Sequence, residues 1–397
     1  MIVLPAHAEL IGQTVIDLCA IKSLSGEEAP VANYVQKFLS SAGLSSQRDE
    51  QDNVYCVIEP AQPGDPLTNT LHLSGHMDTV VPVEGWQSDP WHPQLAGEGD
   101  DRRIVALGTS DMKSGLAVML HLASHFARPE NRPKNLRLVV SFTICEESPA
   151  HGKINGVHRI LKKQPGRWAI TTEASCDHIC PTIALGCQAH AVARVSLTGR
   201  SAHSASPEKG LSAIHAAGII CQRVDQLNRS FKDIHILGEV YARAAAAVTL
   251  IKGGSAANII PEHCELTISR RVAPGETIKD VENDIAALTQ NIGEVKAAWT
   301  LRCDAPACVT DTQGPLLRAA SEASGILFKQ VRYSWNRART DMVLFRQAGM
   351  DILNIGPGYA GQAHVAGEYV RLIDLPRSAN LLGETILRLD QWLAANA

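Results

Sequence analysis

The chain has 397 residues and a formal net charge of −4, with 45% hydrophobic and 20% charged residues. This length predicts two domains, because single hydrophobic cores seldom grow beyond about 250–300 residues. The slight acidity gives no support to a nucleic-acid partner, and no apolar run approaches the roughly 20 residues that cross a bilayer.

The first elements are predicted to be helices. Leu10, Val15 and Leu18 recur at the spacing of one helical face. A second helix is predicted after Ser25, where Glu28 three residues later completes a capping-box pattern.

From residue 70 onwards, short apolar runs alternate with helical stretches. Strands are predicted at Leu71–Ser74, Ile104–Leu107, Leu136–Ile144, Trp168–Thr172 and Ile352–Ile355, and helices at Lys113–Phe126 and Gly156–Lys162. Continuous apolar strands between helices are typical of an α/β domain whose buried sheet is at least partly parallel.

A different pattern occupies the middle of the chain. Strands are predicted at Ala189–Leu197, Ala247–Ile251, Cys264–Ser269 and Ala297–Leu301, and helices at Gly210–Leu227 and Thr277–Thr289. The α/β pattern then resumes. We therefore predict that residues 1–187 and 303–397 form one domain and that residues 188–302 are a smaller α+β domain inserted into it.

Acidic and histidine residues follow five of the predicted strands. They are His76, Asp111, the pair Glu146 and Glu147, Glu173 and His364. In α/β sheets, sites form beyond the carboxyl ends of the strands, so residues that are distant in sequence can meet there. Taken singly, such a carboxylate is usually a helix cap and such a histidine is usually structural. The joint pattern favours one site.

Two imidazoles and three carboxylates suit zinc, whereas magnesium and calcium prefer all-oxygen ligands. A catalytic zinc needs three protein ligands, so five candidates with one bridging carboxylate supply two metals. Asp78 could hold the second N–H of His76. Of the neighbours Glu146 and Glu147, one can bind a metal while the other remains a base.

The cysteines indicate the compartment. Ten cysteines are scattered without a C-x-x-C pair, which in a chain of this length is typical of reduced thiols. No basic residue precedes Lys22, so the start lacks the positive charge of a secretory signal. We expect a cytoplasmic protein.

The chain resembles the acetylornithine deacetylase and succinyl-diaminopimelate desuccinylase family of co-catalytic zinc amidohydrolases and metallopeptidases. The matching segments are Ser74–Val80, Gly108–Gly115, Cys145–Glu147, Thr172–Ser175, Gly199–Pro207, Asn258–Pro274, Thr340–Asp341 and Gly356–Val370. The resemblance implies a mixed-sheet, zinc-exopeptidase-like catalytic domain with an inserted ferredoxin-like domain that serves as lid and dimerisation unit.

The resemblance also implies roles for the site residues. His76, Glu173 and a bridging Asp111 would bind one Zn²⁺, and Asp111, Glu147 and His364 would bind the other, with Co²⁺ or Mn²⁺ as substitutes. Glu146 would be the general base and Asp78 would orient His76. The peptide bond between Asp111 and Met112 is expected to be cis.

Substrate contacts are implied for the inserted domain. His203 would reach the substrate carbonyl oxygen from the partner subunit of a homodimer, and Asn258 and Arg271 would contact a substrate carboxylate. Gly356 belongs to the loop before the last ligand. Arg339 departs from the small residue usual in the family, so it could bind an anionic substrate group or be solvated.

The leading hypothesis is a hydrolase that cleaves the amide bond of a small N-acyl amino acid. A metallo-exopeptidase, either a carboxypeptidase or a dipeptidase, is an alternative because it would use the same metals on a similar bond. A remote alternative is a non-catalytic binding protein on the same fold. It predicts losses among the ligands or the base, and the sequence has none.

Overall fold

The computed structural model describes residues 8–62, 64–303 and 305–396. Its α-helices are α1 (Ala8–Cys19), α2 (Ala29–Ser41), α3 (Pro66–Asn69), α4 (Ser114–Ala127), α5 (Val157–Lys163), α6 (Ala213–Ser230), α7 (Ile278–Thr289), α8 (Pro315–Phe328), α9 (Met342–Gln347) and α10 (Asp374–Ala395).

The strands before residue 200 are β1 (Ser46–Arg48), β2 (Val54–Ile58), β3 (Thr70–His76), β4 (Gln94–Ala96), β5 (Arg103–Val105), β6 (Arg137–Thr143), β7 (Trp168–Thr171), β8 (Ile183–Cys187) and β9 (Ala189–Thr198). The later strands are β10 (Ala202–His203), β11 (Ile234–Leu237), β12 (Val240–Ala242), β13 (Ala245–Gly253), β14 (Ile259–Ile260), β15 (His263–Val272), β16 (Lys296–Cys303), β17 (Cys308–Val309), β18 (Tyr333–Asn336), β19 (Asp351–Asn354) and β20 (Tyr369–Arg371).

The contacts divide the described residues into two compact units. The first comprises those of Met1–Gly186, Thr310–Ser334 and Leu344–Ala397, and the second those of Cys187–Val309 and Trp335–Val343. The segment Trp335–Val343, expected in the catalytic domain, thus groups with the inserted region. Hydrogen bonds explain this, since the amide of Gln188 donates to the carbonyl of Asn336 over 3.0 Å.

A mixed sheet forms the centre of the first unit, with its strands in the order β1-β2-β6-β3-β7-β19-β8. The four inner strands β6, β3, β7 and β19 are parallel, and their neighbours on both sides run antiparallel. All residues of β3, β6 and β7 are buried, as expected for strands covered on both faces. The predicted α/β class with a mixed sheet is confirmed.

Helices cover this sheet, and the last of them was not predicted from the sequence. The helix α10 packs against α8, α4 and α1 and presents a buried stripe that includes Leu375, Leu382 and Leu389. Trp392 near its end meets Trp168 of β7 edge-to-face, with ring centroids 6.0 Å apart. The apolar spacing of α10 is helical and could have been identified.

A second, smaller sheet in the same unit corrects the prediction for residues 104–107. The strand β5 pairs antiparallel with β4 and β20 and does not join the central sheet. The prediction that five strand exits lead to one edge was therefore wrong for Asp111, which follows β5. Three-residue strands and parallel strands give the same short apolar run, so the sequence could not distinguish them.

The predicted capping box before α2 is also wrong. The hydroxyl of Ser25 donates to Asp78 over 2.7 Å. The carboxylate of Glu28 accepts the amides of Gly26 and Cys145 at 2.8 and 3.0 Å. Ser25 thus binds Asp78, and Glu28 joins the turn before the helix to the segment after β6, so neither side chain caps α2.

The second unit is a four-stranded antiparallel sheet in the order β13-β15-β9-β16. The helices α6 and α7 cover one face, where Val195, Ile268, Ile220 and Ile285 share a core. Alternate residues of β9 lie on the opposite face, where His190 and Val192 are half-buried and Arg194 is exposed. This agrees with the α+β pattern predicted for the middle of the chain.

Two adjacent arginines of β15 lie on opposite faces of that sheet. Arg270 is 1% exposed and donates to Asp284 and Glu276, and its guanidinium stacks on Phe231 at 4.2 Å. Arg271 is half-buried on the other face. The alternation of a β-strand therefore makes one arginine part of the core and leaves its neighbour outside it.

Among the described residues, no helix is both long enough and apolar enough to cross a bilayer.

We predict that Arg270→Ala lowers the free energy of unfolding of the second unit by about 3 kcal/mol, because it leaves two acids without their buried partner. Hydrogen exchange by mass spectrometry should show faster exchange in β15 and α7. Arg194→Ala, on the opposite face, should change stability by less than about 0.5 kcal/mol. Equal exchange in both variants would contradict this role for Arg270.

Candidate metal centre

The carboxyl ends of the parallel strands bring most of the predicted ligands to one edge. His76 is the last residue of β3, Glu147 follows β6, and Glu173 follows β7. His364 lies beyond β19, in a loop where its φ is 61°. Because these strands are parallel and adjacent, their ends meet at the same edge of the sheet.

Asp111 reaches the same place from the turn before α4, and the predicted cis peptide bond to Met112 is present. Its two carboxylate oxygens face different imidazoles. Oδ1 lies 3.2 Å from Nε2 of His76, and Oδ2 lies 3.5 Å from Nε2 of His364. A carboxylate in this position can contact two cations at once.

Glu147 completes the group beside His364. Both of its carboxylate oxygens lie 3.2 Å from Nε2 of His364. Ligand atoms of His76, Asp111 and Glu147 all lie within 4.8 Å of one another. Four of the five predicted ligands therefore form one connected cluster in the first unit.

The ionisation of this cluster reflects its crowded charges. Burial alone would lower the pKa of His76, but its hydrogen bond to Asp111 and the charges of Asp78, Asp111 and Glu146 raise it well above the usual value. Burial would raise the pKa of Asp111, and the contact with His76 holds it below its usual value.

Burial and contacts with carboxylates also have opposite effects on the pKa of the second imidazole, His364. The hydrogen bond to Glu147, opposed by burial, raises the pKa of His364 to about 9. Burial and the charge of Asp111 raise the pKa of Glu147. The raised pKa values mean that, without a metal, these carboxylates favour the positively charged form of each imidazole.

This donor set fits divalent metals. Buried carboxylates are stable only when cations or donors pair with them. Here Asp111 directs one oxygen at a nitrogen of each imidazole, and an imidazole nitrogen that gives up its proton to solvent is a good zinc ligand. Imidazole with carboxylate is typical of zinc and related transition metals.

Asp78 contacts His76 differently from the expectation. Nδ1 of His76 lies 3.0 Å from the main-chain carbonyl oxygen of Asp78, while the carboxylate Oδ1 is farther away at 3.6 Å. A carbonyl only accepts, so Nδ1 donates its proton there, and Nε2 is the nitrogen that remains for Asp111 or for a metal. The main chain of Asp78, more than its side chain, orients the ring.

The carboxylate of Asp78 holds the neighbouring glutamates instead. It accepts the amides of Glu146 and Glu147, each at 3.1 Å, and the hydroxyl of Ser25. The preceding amide, that of Cys145, donates to Glu28. Three consecutive amides are thus fixed by two buried carboxylates, and this fixes where the paired glutamates lie.

The main chains of Glu173 and Gly356 are in close contact just beyond the end of β7. The amide of Glu173 donates to the side chain of Asn354 over 2.9 Å, and Asn354 donates back to the carbonyl of Glu173. A Cβ at position 356 would lie 2.1 Å from the carbonyl oxygen of Thr172, so only glycine fits. Gly356 is buried here and supports the Glu173 segment; a substrate contact by Gly356 stays a prediction.

The second unit brings two other predicted residues together. His203 pairs with Ile259, and the amide of Ser204 donates to the carbonyl of Asn258 over 2.9 Å. Nδ1 of His203 accepts the amide of Ala205 over 3.1 Å. The remaining nitrogen, Nε2, therefore carries a proton in the neutral ring and is an exposed donor.

The predicted arginines differ in their surroundings. Among the described residues, the guanidinium of Arg271 has no hydrogen-bond or ion-pair partner, and desolvation lowers its pKa. An unpaired, half-buried guanidinium is unusual and suits an anionic ligand. Arg339 lies in the segment Trp335–Val343 of the same unit, and its role stays a prediction.

Sequence reasoning missed three side chains that hold ligand segments: Glu28, Asn354 and Glu368. Glu368 is 1% exposed and accepts the amides of Gly108, Ser110 and Asp111. Burial raises the pKa of Glu368 to about 8, and these amides oppose the shift. For Glu368, the only indication in the sequence was that it lies four residues after the predicted ligand His364.

Comparisons with curated proteins extend over nearly the whole chain. A Mycobacterium tuberculosis protein provisionally named a succinyl-diaminopimelate desuccinylase is 31% identical over 92% of this chain and 94% of its own length. The acetylornithine deacetylase of Myxococcus xanthus is 26% identical over 94% of this chain and 96% of its own. The resemblance stated from the motifs is thus confirmed.

Solved structures share the fold. A Bacillus cereus aminopeptidase has a TM-score of 0.76 at 18% identity, covering 96% of this chain and 98% of its own. A Bacillus subtilis protein described as a dinuclear metal-binding peptidase has a TM-score of 0.72 at 15% identity, covering 96% and 98%. Residues 72–388 match Peptidase family M20/M25/M40. The chain belongs to this family and is a hydrolase of amide bonds.

Proposed function

We propose that the protein is a dinuclear zinc hydrolase that removes the acyl group from a small N-acyl amino acid. The observation that carries this proposal is the position of Asp111, whose two oxygens face His76 and His364 separately. A single metal would need no such shared carboxylate. In this proposal, one metal takes His76, Asp111 and Glu173, and the other takes Asp111, Glu147 and His364.

When bound, the metals would make a water acidic near neutral pH and would polarise the substrate carbonyl. In this proposal the carboxylate of Glu146 takes the proton from the attacking water and passes it to the leaving nitrogen. The backbone hydrogen bond from Glu146 to Asp78 supports this role, because it restricts where the base can lie.

His203 is proposed to stabilise the developing charge on the substrate carbonyl oxygen. Its Nδ1 already accepts an amide, so Nε2–H is the donor that remains. By family likeness the histidine would come from the partner subunit of a homodimer, so the inserted domain would serve both as lid and as dimerisation unit. The proposal requires this domain to approach the metals during turnover.

Arg271 is proposed to bind the carboxylate of the amino-acid substrate. Its neighbour Arg270 uses its donors on Glu276 and Asp284, whereas Arg271 has no such partner among the described residues. A guanidinium can form two parallel hydrogen bonds to a carboxylate. Asn258 and Arg339 are proposed as further substrate contacts.

A metallo-exopeptidase remains the second candidate, because a dipeptide also has an amide next to a free carboxylate. The solved structures with this fold include peptidases, at 15–18% identity. The curated relatives at 26–31% identity carry deacetylase and desuccinylase names. We prefer the deacylase because the higher sequence identity lies with those relatives.

The proposal is tested by a substrate panel on the zinc-loaded protein. N-acetyl and N-succinyl amino acids should be cleaved with a kcat/KM at least tenfold above that of dipeptides made from the same amino acids. Release of the free amino group is the measured quantity. Faster cleavage of the dipeptides would favour the exopeptidase instead.

We predict that Glu146→Gln lowers kcat by about 10²- to 10⁴-fold, because a neutral amide cannot take the proton. Elemental analysis should find two zinc equivalents in both this variant and the wild type. Glu130→Gln, an exposed glutamate of the same unit, serves as the control and should retain full activity. A Glu146→Gln variant that keeps most of its kcat with zinc bound would rule out this base.

We also predict that Arg271→Ala raises KM for an N-acyl amino acid roughly 10- to 100-fold, because a hydrogen bond to a charged group is lost. The same substrate with its carboxylate converted to an amide should be affected less than threefold. Arg194→Ala removes an exposed arginine from the same face of the sheet and should leave both KM values unchanged. An equal loss on both substrates would contradict carboxylate binding by Arg271.

A further inference from the structure

We propose that Glu368 is a positioning residue of the metal centre, whose carboxylate fixes the main chain of residues 108–111 so that Asp111 presents both oxygens to metals. The inference rests on the proposed function, because it takes Asp111 as the bridging ligand. It adds a residue for which the sequence motifs gave no role.

The contacts of Glu368 define a clamp on one short segment. Oε1 accepts the amides of Ser110 and Asp111 at 2.6 and 2.9 Å, and Oε2 accepts the amide of Gly108 at 2.9 Å. The main-chain carbonyl of Glu368 accepts a further amide, that of Ala106, at 3.1 Å. Both carboxylate oxygens are thus committed to the segment that carries Asp111.

The small sheet explains why Glu368 is available there. Tyr369, the next residue, pairs with Val105 in the antiparallel ladder between β20 and β5. This ladder brings the end of the His364 loop beside the start of the Asp111 segment. Glu368, on the segment that follows His364, therefore reaches Gly108, 260 residues away in sequence, and joins the two ligand segments.

Other ligand segments are held in a similar way, which favours positioning over a general structural role. Asp78 binds the amides of Glu146 and Glu147, and Asn354 binds the amide of Glu173. In each case a buried polar side chain binds the main chain at or beside a proposed ligand. Supporting groups of this kind typically change metal affinity 10- to 100-fold when they are removed.

The chain also contains a matched control. Asp390 is buried and accepts the amides of Lys134, Asn135 and Leu136, so it makes the same three-amide clamp. That segment precedes β6, whereas the metal ligand Glu147 follows β6. At roughly 3.3 Å per residue, the strand separates the two by on the order of 20 Å.

The experiment compares Glu368→Gln with Asp390→Asn in the full-length protein. Zinc affinity is measured by competition with a chelator, metal geometry by the visible spectrum of the cobalt-substituted protein, and stability by the urea midpoint of the metal-free protein. An amide at position 368 turns an NH₂ group towards main-chain N–H donors and so breaks part of the clamp.

We expect Glu368→Gln to weaken zinc binding by about 10- to 100-fold and to alter the cobalt spectrum. Asp390→Asn should lower the urea midpoint but leave zinc affinity within twofold and the spectrum unchanged. Unchanged zinc affinity in Glu368→Gln, or an equal loss in Asp390→Asn, would overturn the positioning role.

Two further results separate this inference from the proposed function. If the wild type binds neither zinc nor cobalt, the proposed function fails, and the role of Glu368 fails with it. If Glu368→Gln does not fold, Glu368→Asp keeps the charge on a shorter side chain and goes through the same measurements. That variant should have intermediate zinc affinity, and wild-type affinity would overturn the proposal.

Discussion

The contact on which the rest of the site depends is that of the Asp111 carboxylate with two imidazoles. Oδ1 faces His76 and Oδ2 faces His364, from strands and loops far apart in sequence. A carboxylate can serve two partners only if its own main chain cannot rotate away. The structure meets this demand, because buried side chains accept the main-chain amides of Asp111, Glu147 and Glu173.

The parallel strands bring the ligand segments to one edge of the sheet, and buried side chains then fix the main chain of those segments. The strands β6, β3 and β7 deliver their last residues to one edge of the sheet, but the carboxyl end of a strand still leaves a residue free to turn. Asp78, Asn354 and Glu368 remove that freedom by accepting main-chain amides. Polar groups buried in this way cost desolvation energy unless every bond is made, which makes such an arrangement intolerant of partial loss.

The sequence predicted which ligand residues meet better than it predicted the side chains that hold them in place. His76, Glu147 and Glu173 follow long apolar strands, and the period of those strands is readable from the sequence alone. Asp111 was assigned to the wrong kind of strand, because β5 is short and its pairing with β20 depends on residues more than 260 positions away. Glu28 was mistaken for a helix cap and Glu368 was overlooked for the same reason: each accepts a distant main-chain amide, that of Cys145 or that of Asp111, and such a contact leaves no local pattern.

The neighbours Arg270 and Arg271 carry a consequence for how this sequence can change. One lies among acids beneath the helices, and the other lies on the opposite face, solely because consecutive strand residues alternate. Inserting or deleting one residue within β15 would exchange their environments, burying the unpaired guanidinium and exposing the paired one. Lineages of this protein should therefore accept length changes in the turns that flank β15 and reject them inside it.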